Sequence, residues 1–306
     1  MSRLRTQLDQ YLVIRRALGF KLCRAELLLV QFVTYLEAVG TETITTENAV
    51  VWASLPHAGS TAWWGHRLLV VRGFAAYLHA IDPAQEVPPA GLISAKAPRA
   101  TPYLYSEADI AALMAAARGF RSVLRAATFE TLVGLLAVSG LRIGEALRLD
   151  RDDVDLLDGV LRVRNSKFGK SRNVPLHPSA VAALGSYDRL RNRLCPRPSE
   201  PAFFVSTVGT RLRYCNAHAG WLDLVHRAGL RPRSAACRPR PHDLRHSFAV
   251  RTLLGWYRDG LDVAARMPLL STYLGHVHPG NTYWYLSAAP ELLTLVAARL
   301  EPGARS

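Results

Sequence analysis

Residues 241–249 read PHDLRHSFA and residues 273–286 read YLGHVHPGNTYWYL, and the character of the second half of the chain turns on these two stretches. In the first, Pro241 opens a helix over about 242–257, and His242 and Arg245, three residues apart, share one helical face. In the second, His276 follows Leu274-Gly275 and precedes Tyr285 by nine positions. Imidazole, guanidinium and phenol supply acid–base, anion-binding and nucleophilic chemistry. Each also has a plainer use. Buried histidines commonly sit satisfied in cores, helical arginines are commonly solvated, and aromatic density like that of Tyr283, Trp284 and Tyr285 is commonly packing.

Two upstream stretches extend the pattern: SGLRIGEALRL at 139–149 and SKFGKSRNVPL at 166–176. The first follows a helix over about 122–138. The second spans a turn, NSKFGK, between two short strands, 159–164 and 172–176. Ser106 caps a helix with acids in its first turn, and further helices are expected at about 178–193, 214–228 and 290–300, with a strand at Phe203–Ser206. Residues 104–306 therefore read as mainly helical with a small sheet.

Working towards the N-terminus, residues 82–103 (DPAQEVPPAGLISAKAPRATPY) hold five prolines and little periodicity, which reads as a linker over 83–103. Before it, Leu4, Leu8, Tyr11 and Leu12 recur at helical spacing, 24–39 and 62–81 continue the pattern, and Thr45 or Thr46 caps a short helix. Residues 1–82 form an all-helical unit on this reading.

The 306 residues carry 38 Lys+Arg against 24 Asp+Glu, a formal charge of +14, and most of the cations are arginine. Such a surface attracts polyanions, and the planar guanidinium fork binds phosphate bidentately where lysine cannot. Charge alone would also suit acidic membranes or acidic proteins. The four cysteines are far apart with no C-x-x-C pair, which argues against a zinc ribbon or a disulfide framework. No apolar run reaches the roughly 20 residues a membrane helix needs, and a cytoplasmic location is expected.

Taken in order, the four stretches resemble the tyrosine recombinase, or phage integrase, family over about residues 106–301. The first is similar to the box around the family's first arginine, the second to its lysine-bearing β-hairpin, the third to its His-x-x-Arg box, and the fourth to its LGH histidine and tyrosine. The resemblance implies an all-helical, SAM-like core-binding domain at 1–82 and a catalytic domain at 104–306, closing as a C-shaped clamp on duplex DNA. It implies Tyr285 as nucleophile, Arg142 and Arg245 as a phosphate clamp, and His276 as donor to a phosphate oxygen. It further implies Lys167 as general acid to the leaving 5′ oxygen and His242 as handler of the tyrosine proton. Its substrate would be double-stranded DNA with inverted half-sites, bound by a homotetramer or a hetero-tetramer of related recombinases, with no metal or other cofactor. The segment PELLTLVAARLEPG would then dock into a neighbouring protomer or pack on its own domain.

The residues leave choices open. Tyr283 rivals Tyr285 as nucleophile, Lys170 shares the turn of Lys167, and Arg142 could simply pair with Glu145 three residues on. His246 and His278 read as packing residues, and Asp243 as an orienting one. His242 and His246 stand at the i, i+4 spacing of zinc proteases, but Asp243 is shorter than the glutamate those enzymes use as base. A non-catalytic DNA-binding protein and a type IB topoisomerase are the remaining alternatives. The first would never become attached to DNA covalently, and the second would relax plasmid without a particular site.

Overall fold

The computed structural model describes residues 2–56, 58–96, 100–164, 171–276, 278 and 280–287. They gather into two compact units, Met1–Arg99 and Ala100–Ser306.

The first unit contains α1 (Arg3–Ala17), α2 (Cys23–Ala38), α3 (Thr46–Ser54) and α4 (Thr61–His79). The side chains of Ser2, Thr45 and Ser60 accept from amides of the first turns of α1, α3 and α4, satisfying donors that have no partner inside a helix. Leu4, Leu8 and Leu12 of α1 meet Phe32, Leu36, Trp52, Val71 and Phe74 in one core. The stretch expected as a linker has no helix or strand among its described residues, yet its start is anchored. The Ile44 amide donates to Gln85 Oε1 at 2.8 Å, the Glu86 amide donates to the Ile44 carbonyl at 2.8 Å, and Arg72 Nε donates to the Pro88 carbonyl at 2.9 Å. Its far end, Tyr103, is buried in the second unit's core.

The second unit begins with α5 (Glu107–Arg118), α6 (Val123–Ser139) and the single turn α7 (Ile143–Ala146). An antiparallel sheet follows, ordered β1 (Val154–Asp155), β2 (Val160–Val163) and β3 (Arg172–Pro175), with Leu161 opposite Val174 and Val163 opposite Arg172. Then come α8 (Pro178–Leu194), α9 (Tyr214–Arg227), α10 (Asp243–Arg258), α11 (Val263–Leu274) and α12 (Gly280–Ser287). The architecture is thus mainly helical with a small three-stranded sheet, as the periodicity predicts.

Two details differ. Phe203–Ser206 is not a strand: the segment 202–211 makes only the isolated bridges Asp150–Ala202 and Val205–Arg211. Its run of Phe203, Phe204 and Val205 is apolar because it is buried in the core, a use that period-two reasoning cannot separate from a strand. In addition, α11 and α12 are helices that the sequence analysis does not predict. The expected helix at 290–300 lies outside the described residues. Among those described, no helix is long and apolar enough to cross a membrane.

A second core, of Val250, Leu253, Leu254, Met267, Leu270, Leu274 and Tyr285, joins α10, α11 and α12. It seats the C-terminal end of α11 beside the N-terminal half of α10, where the conspicuous motifs meet.

Candidate active site

The end of α11 organises the site. The last carbonyls of a helix lack intrahelical donors and carry the negative end of its dipole. Here three successive carbonyls each receive a different guanidinium. Arg172 Nε donates to the Tyr273 carbonyl at 2.8 Å, Arg245 Nη2 to that of Leu274 at 2.5 Å, and Arg142 Nη2 to that of Gly275 at 3.2 Å. Gly275 ends the helix at φ +68°, and the His276 amide turns back to the Ser271 carbonyl at 3.0 Å, a left-handed cap that glycine adopts freely. The cap sets His276 directly after the three carbonyls.

Arg245 lies one turn into α10 and is 1% exposed. An isolated guanidinium buried to this degree would cost several kcal/mol. The Gly140 carbonyl at 2.7 Å and the Leu274 carbonyl accept from it and offset that cost. Burial, and then the neighbouring charge of Arg142, pull its pKa down to about 10, so it stays charged at neutral pH. Gly140, at φ +59°, leaves room for Phe248: a Cβ there would stand 2.6 Å from Phe248 Cδ1.

Arg142 follows α6 and caps α7. Its Nη1 donates to Glu145 Oε1 at 2.7 Å, and its amide to Glu145 Oε2 at 3.1 Å. Glu145, 3% exposed, also takes both oxygens to Arg172, at 3.2 and 2.9 Å. Burial pushes the Glu145 carboxyl up, but Arg172 and then Arg142 outweigh it and hold the pKa at about 2. Three guanidiniums thus surround one carboxylate, and the surplus is positive.

Two histidines sense that surplus. Burial, followed by the charges of Arg245 and Arg142, lowers both His242 and His276 to about 4. His276 Nδ1 lies 2.7 Å from Thr282 Oγ1, and its ring stacks beside Tyr285 with centroids 5.9 Å apart. Tyr285 is 2% exposed, whereas Tyr283 is 51% exposed.

Five of the six residues singled out from the sequence, Arg142, His242, Arg245, His276 and Tyr285, therefore gather at one place. The sixth, Lys167, lies outside the described residues, as does Lys170. Three further residues join them, one of which, His246, the sequence reads as a packing residue. His246 sets its ring edge-on to His242 at 4.9 Å and to Tyr285 at 5.3 Å. Arg172 and Thr282 hold Glu145 and His276. Only His246 left a usable signal, since i and i+4 place it on the His242 face. Asp243, fully buried, takes a two-pronged bond from Arg240, with both contacts at 2.9 Å. Among the described residues, no group of three or more His, Cys, Asp or Glu is arranged to hold a metal ion.

Comparison with known proteins agrees with this chemistry. The family model described as "Phage integrase family" matches residues 104–291. The chain is 44% identical over 307 residues to y4rB of Sinorhizobium fredii, named as an integrase/recombinase, covering 98% of each. It is 33% identical over 204 residues to the tyrosine recombinase XerC of Chlorobaculum parvum, covering 65% of this chain and 57% of that one. In fold it is similar to the Tn1549 transposon integrase in complex with transposon right end DNA, with TM-score 0.64 and 16% identity over 96% of this chain and 99% of that one. It is also similar to a lambda integrase tetramer bound to a Holliday junction, with TM-score 0.61 and 19% identity over 92% and 76%. A positive pocket holding a buried phenol beside two imidazoles, borne on a chain so related end to end, has one explanation: this chain belongs to the phage integrase family of tyrosine recombinases.

Proposed function

We propose that this chain is a site-specific recombinase that cuts and rejoins duplex DNA through a covalent bond to Tyr285. The Tyr285 oxygen attacks the scissile phosphorus, the bond to the 5′ oxygen breaks, and a 3′-phosphotyrosine forms. His242 takes the phenol proton, and Lys167 gives a proton to the departing 5′ oxygen. Arg142, Arg245 and His276 receive the negative charge that grows on the non-bridging oxygens, where losing one preorganised donor typically costs about 3–4 kcal/mol of barrier. A 5′ hydroxyl from the partner duplex then attacks the phosphotyrosine and releases Tyr285. Since the phosphotyrosine keeps the bond energy, the cycle consumes no nucleotide.

The observation that carries this reading is Tyr285 held out of solvent between the rings of His246 and His276 and close to Arg245, while Tyr283 faces water. The formal charge of +14 supports duplex DNA as the partner, held by the helical unit (1–82) and the catalytic unit (104–306) on either side of the linker. Inverted half-sites, a tetrameric synapse and action in the cytoplasm complete the proposal.

The test uses a library of nicked duplexes with a randomised centre, incubated with the full chain in EDTA. Wild type and Tyr283→Phe should yield DNA that stays attached to protein in denaturing gel, and its sequence identifies the target. Tyr285→Phe should bind the recovered duplex without attachment. Adducts from Tyr285→Phe, or none from wild type, would overturn the reading.

A further inference from the structure

The reading above uses two of the three arginines at the end of α11 and leaves Arg172 without a task. Arg172 is the first residue of β3, and its side chain is only 12% exposed. Its three nitrogens are all engaged: Nε with the Tyr273 carbonyl, Nη1 and Nη2 with the two oxygens of Glu145. The guanidinium also lies against the α-carbon of Gly275, where a Cβ would stand 2.9 Å from Nη1.

We propose that Arg172 is a positioning residue for strand cleavage, locking the turn that carries His276 to the Glu145 carboxylate that aims Arg142. The claim rests on the recombinase reading of the pocket. Counter-charge alone does not account for Arg172. Glu145 already has Arg142, and a third cation in a pocket with one carboxylate adds repulsion to the empty protein. What Arg172 adds is geometry. Arg142 ties the Gly275 carbonyl to Glu145 by one bond each, whereas Arg172 bonds the Tyr273 carbonyl in the last turn of α11, which leads into His276, and grips both oxygens of the carboxylate that holds Arg142. A lysine ammonium, being a single point of charge, could not keep the Tyr273 carbonyl and both Glu145 oxygens together. Arg172 acts through these partners, to which three of its five N–H groups are committed.

The test compares the full chain with Arg172→Ala and Arg172→Lys on the nicked duplex recovered with wild type. DNA retention in native gels should stay within about threefold. The single-turnover rate of covalent attachment at saturating duplex should fall about 10²-fold in both variants, the penalty typical of a small misplacement of reacting groups. Millimolar methylguanidinium should restore Arg172→Ala, whose cavity it can enter, and should leave Arg172→Lys slow. A wild-type rate in Arg172→Ala, or a slow rate that methylguanidinium cannot lift, would sink the proposal. In the DNA-free protein, magnetisation transfer between the His276 and Tyr285 rings should disappear in Arg172→Ala and return with methylguanidinium. If it persists in Arg172→Ala, positioning is refuted. That measurement decides the matter even if wild type forms no adduct, the outcome that would refute the recombinase reading instead.

Discussion

His276 Nδ1 and Thr282 Oγ1 stand 2.7 Å apart, joining the turn after α11 to the helix that bears Tyr285. With its pKa lowered to about 4, His276 is neutral near pH 7 and has one N–H to give. To donate from Nε2 to a phosphate oxygen it must accept at Nδ1, and the fully buried Thr282 hydroxyl is placed to supply that hydrogen. Thr282→Val should therefore slow cleavage about 5–10-fold, the equivalent of one ordinary hydrogen bond, while Thr282→Ser keeps the rate. Equal rates for the valine and wild-type proteins in single-turnover cleavage would remove Thr282 from the mechanism.

The same histidines make the DNA-free protein acid-sensitive. Their folded pKa values, about 4, lie below the ordinary 6.5, so between those limits the unfolded chain binds more protons than the folded one. Stability must then fall as pH drops from about 6.5 towards 4. His242 is exposed by surface area, so water screens the arginines there and the larger share falls on His276. Glu145, held at about 2 against an ordinary 4.5, adds a second loss from about 4.5 downwards. Denaturant midpoints measured across pH 7 to 4 should decline over that range. A midpoint that holds constant from 6.5 to 4.5 contradicts the assignment.

Gly140 offers a test of the scaffold rather than the chemistry. At φ +59° and with Phe248 and Leu274 side chains within 3.0 Å of any added Cβ, alanine there is both strained and overpacked. Costs of about 1–3 kcal/mol are usual for such crowding, which for a unit of this size lowers the melting midpoint by roughly 5–10 °C. Since the Gly140 carbonyl also accepts from Arg245, cleavage should fall alongside. Scanning calorimetry of Gly140→Ala measures the first effect directly.

Much of this site could be read from the chain because its residues lie in short local patterns. His242 and Arg245 share a helix turn, and His276 with Tyr285 keeps a fixed spacing. The helix α11 was hidden by Pro268 within it, although Val263, Met267, Leu270 and Leu274 recur at helical intervals along its buried face. Arg172 and Glu145 escaped for another reason. They are 27 residues apart, on a strand and a single helical turn, and no local period links them. Likewise Glu145 read as a surface partner of Arg142, because nothing in a sequence shows that a charged residue will be 3% exposed.

Glu145 yields the sharpest energetic prediction. Among the described residues it is the single carboxylate bonded to Arg142 and Arg172, and breaking a buried ion pair from one side commonly costs about 3–5 kcal/mol because the partners remain charged. Glu145→Gln keeps the shape, loses the charge, and should lower the melting midpoint by roughly 10 °C. Duplex binding should be spared or strengthened, since the surplus positive charge grows, while attachment to DNA slows as Arg142 loses its guide. Arg172→Met in the same chain removes one of the stranded cations. The double variant should therefore be more stable than the sum of the single losses predicts, by about 1 kcal/mol or more. Strict additivity in urea unfolding would mean that Glu145 and Arg172 do not sense each other, and the shared bond at the heart of the pocket would have to be abandoned.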